Sequence, residues 1–386
     1  MEDKECSQLL IIGNGFDLCC KLKSAYADFY TQYFDPEIIE VFSPSRIDPT
    51  FEADKSYAGK YDLLELILLD TYSEDESGEI LWKDIESTIA ESVTFDKKSY
   101  LYKILHKPKE PKIWFMIQML QKMHGDESLE SKQSIIDIFK KSVHRLEANF
   151  KDYIKEARSI DDSSYDSDYV ENARMLYDYL TENKCSETYV INFNYTYLMK
   201  PEREKFYEYK NVHGRYCDDI ILGIDTSSIS DKNKEFLDLS KTYRKMILDA
   251  QSNSEAKSLP KNVKSIKFFG HSLAKADYAY FRSIFDFYNI YDSNVDIIYY
   301  YYNFDDNLNI LENQIESVYS LLDNYGKSFS GKLEKKGDNL VHKLSLEGRL
   351  KIKEMDVNYA NELLIANVRD KIWIDVNKVD TKREDT

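Results

Sequence analysis

The feature that most constrains the fold is the stretch Leu9 to Tyr30, in which four consecutive apolar residues, Leu9 to Ile12, run into Gly13-Asn14-Gly15-Phe16-Asp17 and then into an amphipathic segment. An apolar run that short, bounded by glycine, reads as a strand buried on both faces. Glycines at 13 and 15 permit a sharp turn and a close backbone approach, and the following segment reads as a helix whose N-terminus favours an anion. This is the order of a nucleotide-phosphate loop. The same order also fits a plain tight turn, because the dinucleotide fingerprint carries a third glycine that is absent here.

Further strands are predicted at Tyr189 to Phe193, Ile220 to Leu222, Ile266 to Phe269 and Val295 to Tyr302. Helical stripes separate them. Tyr278, Phe281, Ile284, Phe285 and Tyr288 form one, and Leu308, Leu311, Ile315, Val318 and Leu322 form another. Alternation of this kind predicts an α/β, Rossmann-like fold, a mostly parallel sheet with helices on both faces. In such sheets ligands bind beyond the carboxyl ends of the strands, so the residues just after each strand carry the functional information.

The chain of 386 residues is read as an α/β nucleotide-binding domain over 1–335, with a mainly helical insertion over 60–185, and a small C-terminal extension over 336–386. In the insertion, Leu63 to Asp70 and a Trp82, Ile85, Ile89 face flank the acidic loop Ser73 to Glu79. Beyond them lie stripes through Ile113 to Met123, Ile135 to Ile154 and Tyr169 to Leu180, with a polar break at Ser159 to Asp168. Leu344, Leu346, Leu350 and Ile352 around Glu347-Gly348 predict a small hairpin, and Val376 to Thr386 a frayed polar tail.

A net charge of −17 argues against general nucleic-acid binding. The Lys257 to Lys267 stretch is the local basic candidate, although it reads more readily as a solvated loop. Five cysteines without C-x-x-C spacing fit a reduced, cytoplasmic chain with no structural zinc or other metal site. No apolar run is long enough to span a membrane, and the charged start MEDKECSQ has no signal-peptide core.

Four sets of residues stand at predicted strand ends. They are Gly13-Asn14-Gly15-Phe16-Asp17, Asn192-Phe193-Asn194-Tyr195-Thr196, Val212-His213-Gly214, and Gly270-His271-Ser272-Leu273 with the later Asp277. With the Tyr26-Ala-Asp28-Phe29 element and the W-x-D-x-E element at Trp82 and Glu86, they resemble the AbiH family of bacteriophage abortive infection proteins over roughly residues 8 to 325. That pattern is in turn similar to sirtuin-like NAD-binding domains. The resemblance implies a bacterial anti-phage effector with a pocket for NAD or a related nucleotide as ligand or substrate, and no prosthetic group. It implies catalytic roles for Asn194 and His213, where NAD-hydrolysing members keep their pair. Gly13, Asn14, Gly15, Phe16, Asp17, Tyr195, Gly270, His271, Ser272 and Asp277 become binding residues. The chain departs from the sirtuin-like pattern at Asp17, where a small hydroxyl residue is usual, and at Tyr30, which replaces an arginine. Lys21 and Lys23 are nearby substitutes for the missing charge.

The residue types suit the chemistry. Splitting an N-glycosidic bond needs groups that fix ribose hydroxyls and a base for the incoming water. An asparagine serves the first and a histidine the second. Structural roles fit the same residues. Asn192 and Asn194 suit a turn cap, His213 a turn, His271, Ser272 and Asp277 a helix start, Trp82 a core anchor and Glu86 a surface acid. Cys19 and Cys20 fit buried helix cysteines, or thiols of lowered pKa behind the loop. Two function classes follow: an enzyme hydrolysing NAD at the nicotinamide–ribose bond, or a non-catalytic nucleotide-binding or phage-sensing module acting through a partner or through self-assembly into a homo-oligomer.

Overall fold

The computed structural model describes residues 6–42, 59–73, 82–159, 168–184, 187–197, 208–225, 229, 231–251, 259–273, 275–303, 309–331 and 334–355. Strand β1 (Gln8–Ile12) leads into α1 (Asn14–Cys19), α2 (Tyr26–Tyr33) and α3 (Pro36–Phe42). Five helices follow: α4 (Leu63–Ser73), α5 (Trp82–Val93), α6 (Tyr100–His106), α7 (Pro111–His124) and α8 (Lys132–Ser159). Helix α9 (Asp168–Thr181) returns the chain to β2 (Thr188–Asn192) and β3 (Glu208–Asn211). Then come α10 (Lys241–Gln251), β4 (Ser265–Phe269), α11 (Tyr278–Phe287) and β5 (Asp296–Tyr301), and last α12 (Ile310–Lys327), α13 (Glu334–Asp338), α14 (Leu340–Leu346) and β6 (Leu350–Glu354).

The six strands form one parallel sheet in the order β3-β2-β1-β4-β5-β6. This is the doubly wound Rossmann order, in which the order of the strands reverses between β1 and β4 and opens a crevice at their carboxyl ends. Period-two alternation divides β1 between two cores. Leu9 and Ile11 pack with Ile191, Phe268, Phe281 and Leu322 on one face. Leu10 and Ile12 pack with Phe16, Leu176, Tyr177 and Ile298 on the other.

A third core is helical. The α8 residues Ile135, Phe139, Val143, Leu146, Phe150 and Ile154 are buried against Phe29, Leu63, Ile67 and Ile89. This follows from their i, i+4 and i+3 spacing, which gathers apolar side chains along one side of the helix. Edge-to-face contacts of Phe29 with Phe150 at 5.2 Å and with Tyr153 at 5.4 Å tie α2 to α8.

Several local expectations are corrected. Residues 220–222 form no strand. Gly214 and Ile220 make an isolated bridge, the Ile221 amide donates to the His213 carbonyl, and the Leu222 amide donates to Glu147 Oε1 at 2.7 Å. The backbone partners are thus a loop and a side chain. No hairpin forms around Glu347-Gly348 either. Leu340 and Leu344, one helical turn apart, are buried on α14, while Leu346 is 88% exposed. Residues 350–354 instead join β5 as a sixth parallel strand. On α12 the buried side runs through Val318, Leu321, Leu322 and Tyr325, whereas Leu311 and Ile315 are exposed. Lys267 lies within β4, buried, donating to the Leu180 carbonyl and pairing with Glu182, so the basic stretch ends inside the protein. Leu308, the side chain of Trp82, Cys185, nearly all of the acidic loop 73–79 and the tail 376–386 lie outside the described residues.

Candidate active site

The crevice between the carboxyl ends of β1 and β4 holds a cavity of about 500 Å³, within the range that accommodates a small organic ligand. The loop after β1 supplies Gly13, Asn14, Gly15 and Asp17. The turn after β2 supplies Asn194, Tyr195 and Thr196, the turn after β3 supplies His213, and the turn after β4 supplies Gly270, His271, Ser272 and Asp277. The helical layer closes it with Glu86 of α5 and with Phe150 and Ile154 of α8, while α12 adds Glu316, Ser317 and Ser320. A larger hollow of about 640 Å³, around Cys6, Lys261 and Phe287, contains none of these strand-end residues. Phe16 does not reach the cavity. It is fully buried and meets Phe269 edge-on at 6.3 Å.

The glycine loop is organised differently from a phosphate cradle. The Gly13 amide donates to the Phe269 carbonyl at 3.1 Å, the Gly15 amide to the Gly270 carbonyl at 2.7 Å, and the Phe16 amide to the Gly13 carbonyl at 2.8 Å. These donors are therefore taken. A Cβ on Gly15 would lie 2.7 Å from the Gly270 Cα, and one on Gly270, which has φ of +68°, would lie 2.4 Å from the Phe16 nitrogen. The glycines serve the contact between two turns. Helix α1 is only six residues long and carries Asp17 in its first turn. Neither lysine replaces the missing arginine at the cavity, since Lys21 and Lys23 are exposed and do not line it. Tyr30 belongs to the helical core.

The turn after β2 is braced from both sides. Asn192 accepts the Asn194 amide at 2.9 Å and donates through Nδ2 to the Thr196 carbonyl at 2.9 Å. Asn211 Nδ2 donates to the Asn194 and Thr196 carbonyls, each at 2.9 Å. Asn192 is thus the structural cap, whereas Asn194, 3% exposed, forms no well-aligned side-chain hydrogen bond and makes a weak contact with the Asp17 carboxylate, which it helps to hold as an anion. Buried amides are ordinarily satisfied, so one so weakly held that lines a cavity is a candidate ligand contact. Tyr195 forms wall, its hydroxyl donating to the Ile221 carbonyl at 3.3 Å.

Two buried acid centres flank this turn. Asp17 accepts the Tyr169 hydroxyl at 2.7 Å and the Thr196 hydroxyl at 2.8 Å. Burial pushes its carboxyl up to about 6, against the opposing pull of those two hydroxyls and of Arg158. Asp277 is the hub of the second centre. Lys241 Nζ donates to its Oδ1 at 2.9 Å, His213 Nε2 lies 3.1 Å from the same oxygen, and His271 Nε2 lies 3.3 Å from Oδ2. Lys241 also reaches Glu86 Oε1 at 2.5 Å.

The charges settle accordingly. Burial acts against Asp277 as an anion, but Lys241 and His213 outweigh it and hold the carboxyl well below its ordinary value. Burial likewise acts against the Lys241 ammonium and is outweighed by Asp277 and Glu86, which raise it. Burial, opposed by Lys241, pushes Glu86 up to about 7. Burial and then Lys241 lower His213 to about 4, so this imidazole is neutral at physiological pH. His271 Nδ1 accepts the Leu273 amide at 2.8 Å, which leaves Nε2–H to face Asp277.

Several structural alternatives are corrected by these contacts. Asp277 begins α11 yet makes no side-chain cap, and Glu86 is a buried member of the charge cluster, not a surface acid. Cys19 carries no lowered pKa, because burial pushes its thiol up to about 11, and the Cys20 thiol is raised as well. Lys241, Tyr169 and the α12 residues were invisible to sequence reasoning. Lys241 sits in no motif, and Tyr169 falls in a stripe that reads simply as core.

The described residues include no group of three or more His, Cys, Asp and Glu side chains placed to hold a metal ion, and no helix long and apolar enough to cross a membrane.

A six-stranded parallel sheet in Rossmann order, with a charge-coupled cavity at its switch point, defines an α/β protein with a candidate ligand site there. The family model for bacteriophage abortive infection AbiH proteins matches residues 9–302, and the chain belongs to that family. Every strand-end set lies inside the matched span, and family membership gives the chain an anti-phage abortive-infection role. Comparisons with curated proteins and with solved structures return no match.

Proposed function

We propose that this AbiH protein acts as an anti-phage effector by binding NAD or a related nucleotide in the switch-point cavity and hydrolysing the nicotinamide–ribose bond. The observation that carries the reading is Asn194, a buried amide that lines the cavity and is held in the protein by a weak contact with Asp17, in the same cavity as a neutral histidine paired with an aspartate. Asn194 holds a ribose hydroxyl and the attacking water. As the C1′–N bond breaks, its electron pair leaves with nicotinamide while the water oxygen bonds to C1′. The water proton passes to His213, whose imidazolium form is stabilised by Asp277, and then to solvent. The products are ADP-ribose, nicotinamide and one proton. The similarity of the strand-end motifs to sirtuin-like domains supports the same assignment.

A second reading, nucleotide binding without turnover, draws on one observation: burial and Lys241 lower His213 to about 4, which makes it a weak base. Incubating the purified chain with NAD, with and without phage lysate, and following nicotinamide release separates the two. Hydrolysis predicts release that is lost in Asn194→Ala and His213→Ala variants that remain folded. No release from the wild type, together with a raised melting temperature in NAD, selects the binding module.

A further inference from the structure

Lys241 is the best-buried cation of the site, and no sequence motif includes it. It is 1% exposed at the start of α10. Its Nζ lies between two acids from different parts of the fold, Glu86 on α5 and Asp277 beyond β4. It does not face the cavity, but both acids do. A single buried ammonium serving two carboxylates, one of which also faces two histidines, fixes how protons are distributed over the whole cluster. We propose that Lys241 is the positioning residue of this site, holding Asp277 as the anion shared by His213 and His271 and thereby keeping His213 a neutral imidazole with Nε2 toward Asp277. The proposal deepens the reading of His213 as the ligand-facing base and rests on it only for the effect on turnover.

The environment of His213 leaves Lys241 as the cation that decides its state. Asp277 and His271 approach it from the turn after β4, Tyr280 from α11, Tyr195 from the turn after β2, and Lys241 from α10. Glu86 acts on it through Lys241. If Lys241 loses its charge, Asp277 keeps only the two imidazoles as partners, and one of them must take a proton to pay the cost of a buried carboxylate. His213, 3.1 Å from Oδ1, is placed to do so.

The test is an NMR titration of isotopically labelled histidines in the full chain, with the His213 signal assigned by His213→Asn. In the wild type His213 stays neutral from pH 8 down to pH 5. In Lys241→Met/Glu86→Gln, which removes the ammonium together with the acid it pairs with besides Asp277, its midpoint rises by at least one unit, a tenfold gain in proton affinity. Lys241→Arg keeps it neutral. An unmoved midpoint in the double variant, or an equal rise in Lys241→Arg, overturns the proposal. Should the double variant not fold, Glu86→Gln alone decides, because it leaves Lys241 wholly to Asp277 and must keep His213 neutral; a His213 that titrates there overturns the assignment. Nicotinamide release is read separately, so a wild type that releases none overturns the turnover reading while the titration still judges Lys241.

Discussion

Gly15 donates its amide to the Gly270 carbonyl at 2.7 Å, joining the turn after β1 to the turn after β4 across the switch point. There is no room for a side chain on either partner. Gly15→Ala and Gly270→Ala are each expected to lower folding stability by about 1–3 kcal/mol through overpacking, with Gly270 worse because of its positive φ. Gly59→Ala, also at positive φ but with open space around it, loses only the backbone term of about 1–2 kcal/mol. Urea denaturation midpoints measure the difference.

Two asparagines two residues apart should respond in opposite ways. Asn192→Ala removes three hydrogen bonds from a buried turn and is expected to cost about 2–4 kcal/mol, at roughly 1 kcal/mol or more for each bond lost. Asn194→Ala removes an amide whose contact with the Asp17 carboxylate is weaker than those of the Tyr169 and Thr196 hydroxyls, so stability changes by less than about 1 kcal/mol while NAD-induced stabilisation disappears. Thermal shifts with and without NAD read both effects.

Asp17 and His213 tilt stability with pH in opposite directions. Asp17 has its folded pKa raised from 3.8 to about 6. The folded state therefore holds this proton more tightly, and stability falls as pH rises from about 4 to about 6. His213 has its folded pKa lowered from 6.5 to about 4. Its contribution is complete above 6.5 and is lost as pH falls toward 4. Asp17→Asn should remove the falling component and flatten the stability profile between about pH 4 and pH 6. His213→Asn should remove the rising one. Denaturation curves between pH 3.5 and pH 8 check the signs.

On α14, Leu344 is buried and Leu346 is exposed. Leu344→Ala is expected to cost about 2–5 kcal/mol, and Leu346→Ala less than about 0.5 kcal/mol. A hairpin would put both on one face and make the costs similar. Denaturation of the two single variants decides.

The central strands were legible because a strand covered on both faces is mostly apolar, as Leu9 to Ile12 and Ile266 to Phe269 show, the latter interrupted by Lys267, which is buried through its pairing with Glu182. The edge strands were not. Glu208–Asn211 and Leu350–Glu354 are half-exposed and interleave charged residues, so no apolar run marks them. The residues around the cavity could be read from strand ends, since topology delivers those ends to one place. The partners of those residues could not. Lys241 meets Glu86 across 155 positions of chain, which no local spacing encodes. The glycine loop was legible as a close approach, but whether the approaching group was a ligand or another turn depended on Gly270, far along the chain.

The cation between Glu86 and Asp277 has a mechanical meaning. One of its acids rides on the helical layer and the other on the sheet, so sliding the layer outward would strip Lys241 of one counter-ion and change the electrostatic load on His213. Displacement of the helices would thus reach the imidazole as a change in proton affinity. An event sensed on the outer helices would have a physical route to the cavity without any contact to its ligand.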